Sequence, residues 1–179
     1  MRIIAGTLRG HRLRCRPGGQ LRPTGERMRE SLFSALGDTA SGAIVLDLFS
    51  GSGALGFETL SRGAEHVTFV ERDRKLAALL ERTARDWDVE ENCTVVCADV
   101  SGWLAGREAG EFDVVFADPP FDGSFGPRVF EWWLASAAAA SVLVLELPAG
   151  SDDPGAITGI TPVKQASFGD STYRIYQQG

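Results

Sequence analysis

The sequence predicts an open, doubly wound α/β sheet that ends in an antiparallel pair of strands. Between residues 43 and 146, continuous apolar runs of strand length alternate with amphipathic stretches of helical length. Runs that are apolar on both faces are typical of parallel strands covered by helices on two sides. Residues 157–177 instead show two strand-like runs around a Gly-Asp turn, which predicts a terminal hairpin.

The elements follow in order along the chain. Strands over 2–5 and 12–15, around turn-prone residues 6–10, predict a short N-terminal hairpin. After the break at Pro17-Gly18-Gly19, apolar residues at helical spacing predict a helix over 25–36 with Thr24 as its cap. The alternation then predicts strands over 43–48, 67–71, 94–98, 113–117 and 142–146, and helices over 54–61, 74–87, around Trp103 and over 127–138. The terminal hairpin is predicted over 157–167 and 173–177. We therefore expect a small basic extension over 1–20 and one main domain over 21–179, in keeping with a length of 179 residues.

Charge is distributed unevenly along the chain. Residues 1–30 contain eight arginines, no lysine and two glutamates, a net charge of +6. The remaining residues carry 10 basic and 22 acidic groups, a net charge of −12. Guanidinium groups contact phosphates in a bidentate manner and stack on bases. The segregation predicts that the N-terminal segment binds a polyanion, with a merely solvated tail as the alternative.

The composition also excludes several classes of protein. No apolar run approaches the roughly 20 residues that a membrane helix requires. The arginine-rich N-terminus lacks the apolar stretch of an export signal, so a cytoplasmic protein is expected. Three cysteines and two histidines suit neither a disulfide framework nor a zinc site, and no metal is predicted.

The first strand of the main domain leads into a glycine-rich loop. Gly51, Gly53 and Gly56 spell GxGxxG, and Glu71 ends the next strand twenty residues after Gly51, where a carboxylate could bind a ribose diol. Asp47 lies four residues before Gly51 and would repel a pyrophosphate. S-adenosylmethionine carries an ammonium and a sulfonium but no phosphate. The loop therefore favours that cofactor over a nicotinamide dinucleotide.

Two further acidic residues follow strands. Asp99, after the third strand, could accept a hydrogen bond from an adenine amine, or could cap the helix that follows. Asp118 opens Asp-Pro-Pro-Phe after the fourth strand, where two prolines prevent the strand or a helix from continuing.

The Asp-Pro-Pro-Phe sequence suits chemistry on an amine conjugated with a ring. If the Asp118 carboxylate and the Pro119 carbonyl accept its hydrogens, the nitrogen can pyramidalise toward a methyl sulfonium while Phe121 stacks on the base. This geometry requires an unpaired or flipped base. The alternative is a β-turn with a packed aromatic residue.

Asp118-Pro119-Pro120-Phe121 resembles the (D/N)PP(Y/F) motif of class I S-adenosylmethionine-dependent amino-methyltransferases, which have a Rossmann-like fold. Over essentially its whole length the chain is also similar to the RsmD type of bacterial small-subunit (16S) ribosomal RNA guanine-N2 methyltransferases. The motifs that carry this second resemblance are Arg2-Ile3-Ile4-Ala5-Gly6, Leu21-Arg22-Pro23-Thr24, Arg27 with Arg29-Glu30 and Leu32-Phe33, Asp47-Leu48-Phe49-Ser50-Gly51-Ser52-Gly53-Ala54-Leu55-Gly56, and Tyr173-Arg174-Ile175-Tyr176.

The resemblance implies methylation of the N2 amine of one guanine in 16S rRNA, within the small ribosomal subunit, by a monomer that uses S-adenosylmethionine. It implies cofactor contacts by Arg22, Thr24, Asp47, Ser50, Gly51, Ser52, Gly53, Glu71 and Asp99. It places the target base against Asp118, Pro119, Pro120 and Phe121, which would act as the catalytic residues. It makes the basic extension an RNA-binding hairpin, with Arg2, Arg9, Arg12 and Arg14 as candidate contacts.

Other functions remain open on the residues alone. A DNA adenine-N6 methyltransferase uses the same motif on the same kind of amine, but little of this chain lies outside the core to recognise a DNA sequence. A protein-glutamine methyltransferase would leave the basic extension unexplained. A nicotinamide-dependent oxidoreductase would leave Asp47 and Asp118 without a role, and a non-catalytic RNA-binding factor could keep the fold. The two prolines do not distinguish guanine from adenine, so the choice of guanine depends on the resemblance.

Overall fold

The computed structural model describes residues 1–14, 23–120, 125–136 and 141–178. The helices are α1 (Pro23–Leu36), α2 (Ala54–Ser61), α3 (Arg74–Asp86), α4 (Val100–Leu104) and α5 (Phe125–Ser136). The strands are β1 (Ile44–Leu48), β2 (His66–Glu71), β3 (Cys93–Cys97), β4 (Val114–Ala117), β5 (Val142–Pro148), β6 (Lys164–Phe168) and β7 (Ser171–Gln177). Within the described residues, no helix is long and apolar enough to cross a membrane.

The strands form one seven-stranded sheet in the order β3-β2-β1-β4-β5-β7-β6. Strands β1 to β5 are parallel, and β7 pairs antiparallel with both β5 and β6. The predicted doubly wound sheet with a terminal antiparallel pair is thus confirmed. The connections diverge between the adjacent strands β1 and β4, and in such sheets this point forms a crevice for ligands. The strand register brings the carboxyl ends of these strands to the same level. Leu48 of β1 pairs with Ala117 of β4, and Glu71 of β2 pairs with Cys97 of β3.

The sheet separates two apolar layers. Val45 and Phe69 belong to the cluster that packs with α1, α2 and α3, whereas Leu46 and Leu48 belong to the cluster that packs with α4 and α5. This division follows from the strand, in which successive side chains point to opposite faces. Asp47 therefore faces the α2 side of the sheet, among apolar neighbours.

Residues 1–14, which we call the N-terminal segment, are less regular than the predicted hairpin. They contain a single antiparallel bridge, between Arg2 and Arg12, in place of two strands. Ile3, Leu8 and Leu13 are buried in the same cluster as α1 and α2. The segment has no core of its own and obtains its apolar contacts from the main sheet and its helices.

Two predicted boundaries were wrong. Helix α1 begins at Pro23, so Thr24 lies within the helix and is not its cap; the φ angle of a proline suits the first helical position. Strand β6 begins at Lys164 and not at residue 157, because a 3-10 turn occupies Pro154–Ile157 and Pro162 lacks the N–H that a ladder needs. Apart from the two strands predicted in the N-terminal segment, the other helices and strands lie within about two residues of their predicted bounds.

Candidate functional site

A cavity of about 610 Å³ opens at the carboxyl ends of the parallel strands. It brings together Glu71 from the end of β2, Asp99 from the exit of β3, and Asp118, Pro119 and Pro120 from the exit of β4. The rest of its described lining consists of Phe49, Val70, Arg72, Asp73, Leu76 and Val100. Five residues that the sequence singled out, from three separate strand ends, therefore share one cavity.

Glu71 is buried at the edge of this cavity and holds the glycine loop through backbone hydrogen bonds. Its Oε2 accepts from the N–H of Gly51 (2.9 Å), and its Oε1 accepts from the N–H of Asp73 (2.8 Å). The loop is fixed again by Ser50, whose hydroxyl donates to the carbonyl oxygens of Asp47 (2.6 Å) and Val70 (3.2 Å). Each Glu71 oxygen can accept a further hydrogen bond, so the loop contacts leave it able to bind a hydroxyl pair.

Asp47 is buried and does not line the described cavity. Its Oδ2 accepts from the N–H of Gly56 in the first turn of α2 (3.0 Å). The pKa of this carboxyl is raised from 3.8 to about 7, chiefly by burial; the Gly56 hydrogen bond opposes the rise and the charge of Glu71 adds to it. In the structure, Asp47 thus joins β1 to α2.

The glycines of the loop serve packing as well as conformation. Gly53 has a φ of +75°, and a Cβ built on it would lie 2.6 Å from Leu80. A Cβ on Gly56 would lie 2.3 Å from the ring of Phe69. Part of the GxGxxG spacing is therefore explained by the close approach of α2 to the sheet. Gly51 also has a positive φ, and Ser52 is half-buried beside it.

Asp99 caps α4, and one of its oxygens serves this role. Its Oδ1 accepts from the N–H of Ser101 (2.9 Å), while the residue as a whole is exposed and lines the cavity. The two interpretations of Asp99 left open by the sequence are therefore compatible, because a carboxylate has a second oxygen.

The Asp-Pro-Pro residues that follow β4 alternate between exposed and buried. Asp118 and Pro120 are exposed, whereas Pro119 between them is buried. Phe121 lies outside the described residues.

Phe49 is a lining residue that sequence reasoning missed. It adopts a left-handed φ of +60°, uncommon for a bulky residue, and its ring packs edge-on against Phe125 at 5.1 Å between centroids. No sequence pattern signals such a backbone conformation. Phe49 joins the end of β1 to the beginning of α5 and lines the cavity together with Pro119 and Pro120.

The four arginines predicted to contact RNA differ in their surroundings. Arg2 forms an exposed ion pair with Glu26 (2.9 Å), and Arg14 pairs with Asp86. Arg9 and Arg12 are exposed and form no ion pair with another described residue. Arg22 and the side chain of Thr24 lie outside the described part of the chain.

Arg29 does not belong to the exposed basic surface, although it contributes to the N-terminal charge. It is buried and pairs with Glu58, at 3.6 Å between Nη1 and Oε2. Glu58 itself is fully buried on α2. The sequence offered one sign of this pair, a glutamate within the otherwise apolar turn Gly56-Phe57-Glu58.

Comparisons with known proteins place the chain among methyltransferases. A family model described as conserved hypothetical protein 95 matches residues 1–177. The chain is 34% identical over 184 residues to ribosomal RNA small subunit methyltransferase D of Haemophilus influenzae, covering 99% of this chain and 93% of that protein. It is 32% identical over 183 residues to the Escherichia coli protein of the same name, covering 99% and 90%.

Solved structures agree on the fold. The structure of yhhF from Escherichia coli has a TM-score of 0.89 at 31% identity, covering 99% of this chain and 97% of that chain. The 16S rRNA N2 G1207 methyltransferase of Thermus thermophilus, in complex with AdoMet and guanosine, has a TM-score of 0.72 at 20% identity, covering 90% of this chain and 44% of that one. At that identity the second match shows the fold alone.

Proposed function

Because the chain belongs to the RsmD-type family that the conserved hypothetical protein 95 model describes, we propose that it methylates the N2 amine of a guanine in 16S rRNA, using S-adenosylmethionine. One observation carries this proposal. The Asp118-Pro119-Pro120 exit, suited to an exocyclic amine, lines the same cavity as Glu71 and Asp99, suited to a nucleoside. A cofactor and a base would therefore meet in a single cavity.

The residues of the cavity fit the proposed cofactor. Its volume of about 610 Å³ lies within the range of small-molecule sites, roughly 300–1,000 Å³. Glu71 is available for ribose hydroxyls, Asp99 for the adenine amine, and Leu76 and Val100 for the faces of the ring. S-adenosylmethionine, when bound, supplies an electrophilic methyl group on a sulfonium. Asp47, Ser50, Gly51, Ser52 and Gly53 are proposed to shape the methionine end, together with Arg22 and Thr24.

The β4 exit is proposed to orient the amine of the target base. Asp118 and the carbonyl of Pro119 would accept its two N–H groups, so that its lone pair turns out of the plane of the ring. The buried Pro119 and the ring of Phe49, which packs edge-on against Phe125, would give the base an apolar wall here. Phe121 is proposed to stack on the base.

The N-terminal segment is proposed to hold the RNA while the main domain, from residue 21 onward, performs the chemistry. Exposed Arg9 and Arg12, with Arg2 and Arg14, would contact phosphates without regard to sequence. The relatives are named for the small ribosomal subunit, so we propose that the assembled or assembling subunit is the substrate. Choice of the nucleotide would then come from the shape of the subunit around the base.

Methyl transfer from labelled S-adenosylmethionine to unmethylated small subunits, naked rRNA and duplex DNA, followed by nucleoside mass spectrometry, tests the proposal. We expect N2-methylguanosine in the RNA samples. Asp118→Ala is expected to lower kcat by about 100-fold or more while cofactor affinity stays within about threefold. Glu108→Ala, an exposed carboxylate that does not line the cavity, is the matched control. N6-methyladenine in the DNA, or no transfer to any of the three substrates, would contradict the proposal.

A further inference from the structure

The N-terminal segment is attached to α2 by hydrogen bonds from its backbone. Glu58 of α2 is 0% exposed, and its Oε2 and Oε1 accept from the N–H groups of Ile4 (2.7 Å) and Ala5 (3.1 Å). Because the bound groups belong to the backbone, these hydrogen bonds fix the course of the main chain of the N-terminal segment over α2. The cavity chemistry proposed above makes no use of this buried carboxylate.

Ser61, one turn further along α2, continues the contact. Its hydroxyl accepts from the N–H of Leu8 (2.9 Å) and donates to the carbonyl of Ala5, and its own carbonyl accepts from the N–H of Thr7 (2.8 Å). Gly6 lies directly over this point with a φ of +80°. A Cβ on Gly6 would lie 1.7 Å from the Ser61 carbonyl oxygen, so only glycine permits this approach.

The same carboxylate connects the segment to a second helix. Arg62 Nε donates to Glu58 Oε1 (2.9 Å), while Arg29 of α1 pairs with Oε2 and donates through Nη2 to the carbonyl of Arg2 (3.1 Å). A buried carboxylate is unfavourable unless donors surround it. Here two backbone amides and the guanidinium of Arg62 donate to it, and Arg29 adds the opposite charge at 3.6 Å without a hydrogen bond. Removing the Glu58 carboxylate would take the shared acceptor from all of these groups at once.

These contacts determine where the exposed arginines lie. Ile3, Leu8 and Leu13 anchor the segment in the core, and the contacts to Glu58 and Ser61 fix its turn on α2. Arg9 follows Leu8 directly, and Arg12 precedes Leu13, so both are held by buried neighbours. Helix α2 also carries the glycine loop at its other end. The cationic surface and the cofactor loop are thus joined through one short helix.

We propose that Glu58 and Ser61 form a docking platform that positions the N-terminal segment, so that the exposed arginines hold the RNA in register with the cavity. Both are positioning residues, since neither lines the cavity. The inference rests on the proposed function and extends it to substrate alignment. A platform of this kind contributes to binding of the RNA and leaves the transfer step itself unchanged. Its loss should therefore raise KM for the RNA while kcat and cofactor affinity are retained.

Gly6→Ala tests this directly, and Gly10→Ala is its matched control. Both glycines have a left-handed φ, +80° and +86°, but a Cβ on Gly10 meets nothing within 4 Å. With unmethylated small subunits as substrate, we expect Gly6→Ala to raise KM about tenfold or more, with kcat and the Kd for S-adenosylmethionine within about threefold. Gly10→Ala should change KM by less than about threefold.

Ser61→Ala is the second variant, in case Gly6→Ala does not fold. It removes two hydrogen bonds to the segment, leaves α1 untouched, and should raise KM about threefold or more at an unchanged kcat. Equal KM effects in Gly6→Ala and Gly10→Ala, or a fall in kcat and cofactor affinity that matches the rise in KM, would overturn the proposal. If wild-type protein transfers no methyl group to RNA, the proposed function fails. The positioning of the N-terminal segment is then tested by measuring how tightly the same variants bind the small subunits.

Discussion

Asp47 shows how a single residue can couple the site to stability. It is a carboxylate in the middle of a buried strand, with the N–H of Gly56 as its hydrogen-bond donor. One neutral donor does not replace the water that a charged carboxylate loses, and burial therefore raises its pKa from 3.8 to about 7. The folded protein thus favours the protonated form.

The expected consequence is a loss of stability as the pH rises. Between about pH 4 and pH 7 the folded state binds a proton at Asp47 that the unfolded state has released, so the free energy of unfolding falls through this window. Each pH unit removes at most about 1.4 kcal/mol. Denaturant unfolding of the wild type and of Asp47→Asn, at several pH values, measures the contribution by difference. Asparagine keeps an acceptor for Gly56 but does not titrate, and identical pH slopes in the two proteins would refute the assignment.

At the scale of elements, the beginnings of two helices form the polar rim of the cavity. Asp73 caps α3 by accepting from the N–H groups of Lys75 (2.8 Å) and Leu76 (3.3 Å), and Asp99 caps α4 through Ser101. Both acids line the cavity. Each of these helices therefore begins just after the preceding strand, with an aspartate that caps the helix and lines the cavity.

Asp99→Asn should separate these two roles. Asparagine caps helices about as well as aspartate, so we expect the free energy of unfolding to change by less than about 0.5 kcal/mol. When the side-chain oxygen of the asparagine accepts from the N–H of Ser101, however, its NH₂ group takes the place of the second carboxylate oxygen. A donor would then face the adenine amine, which is also a donor. We expect the Kd for S-adenosylmethionine to rise about tenfold, since an unmatched polar group is costly. Calorimetric titration measures this Kd. An unchanged value would mean that Asp99 caps α4 but does not bind the cofactor.

At the scale of the whole molecule, the part of the N-terminal segment that the structure describes carries a smaller positive surface than the sequence suggests. Arg29 is buried, and Arg2 and Arg14 are paired with acids. Among the described residues of the N-terminal segment, Arg9 and Arg12 are the arginines without an ion pair. The remaining chain is strongly acidic. Attraction of RNA by residues 1–14 should therefore depend on few groups, and the acidic charge of the rest of the chain would disfavour other modes of binding.

Salt dependence measures this directly. Each phosphate contact in a single strand contributes about 0.7 to the slope of log K against log salt, so Arg9→Ala combined with Arg12→Ala should reduce the slope by about 1.4. Lys164→Ala, on the edge strand β6, should leave the slope unchanged. Binding of rRNA is followed by fluorescence anisotropy over a range of salt concentrations. A slope reduced equally by Lys164→Ala would mean that the RNA does not lie on the N-terminal segment.

The sequence by itself determined the architecture and the identity of the candidate chemical groups. Apolar strands alternating with helices predicted the parallel sheet, because a strand covered on both faces must be apolar throughout. The strand ends predicted which residues meet, since all parallel strands leave the sheet at one edge. Glu71, Asp99 and Asp118, far apart in sequence, accordingly share the cavity.

Only the tertiary structure decided how these groups are held. Asp47 was predicted to face the cofactor, but its bond to Gly56 depends on where α2 packs on the sheet. Glu58 became the site to which the N-terminal segment docks because residues from three separate parts of the chain converge on it. Local patterns encode periodicity and turn chemistry. They do not encode which distant donor meets a buried acceptor, because that depends on the distances between packed elements.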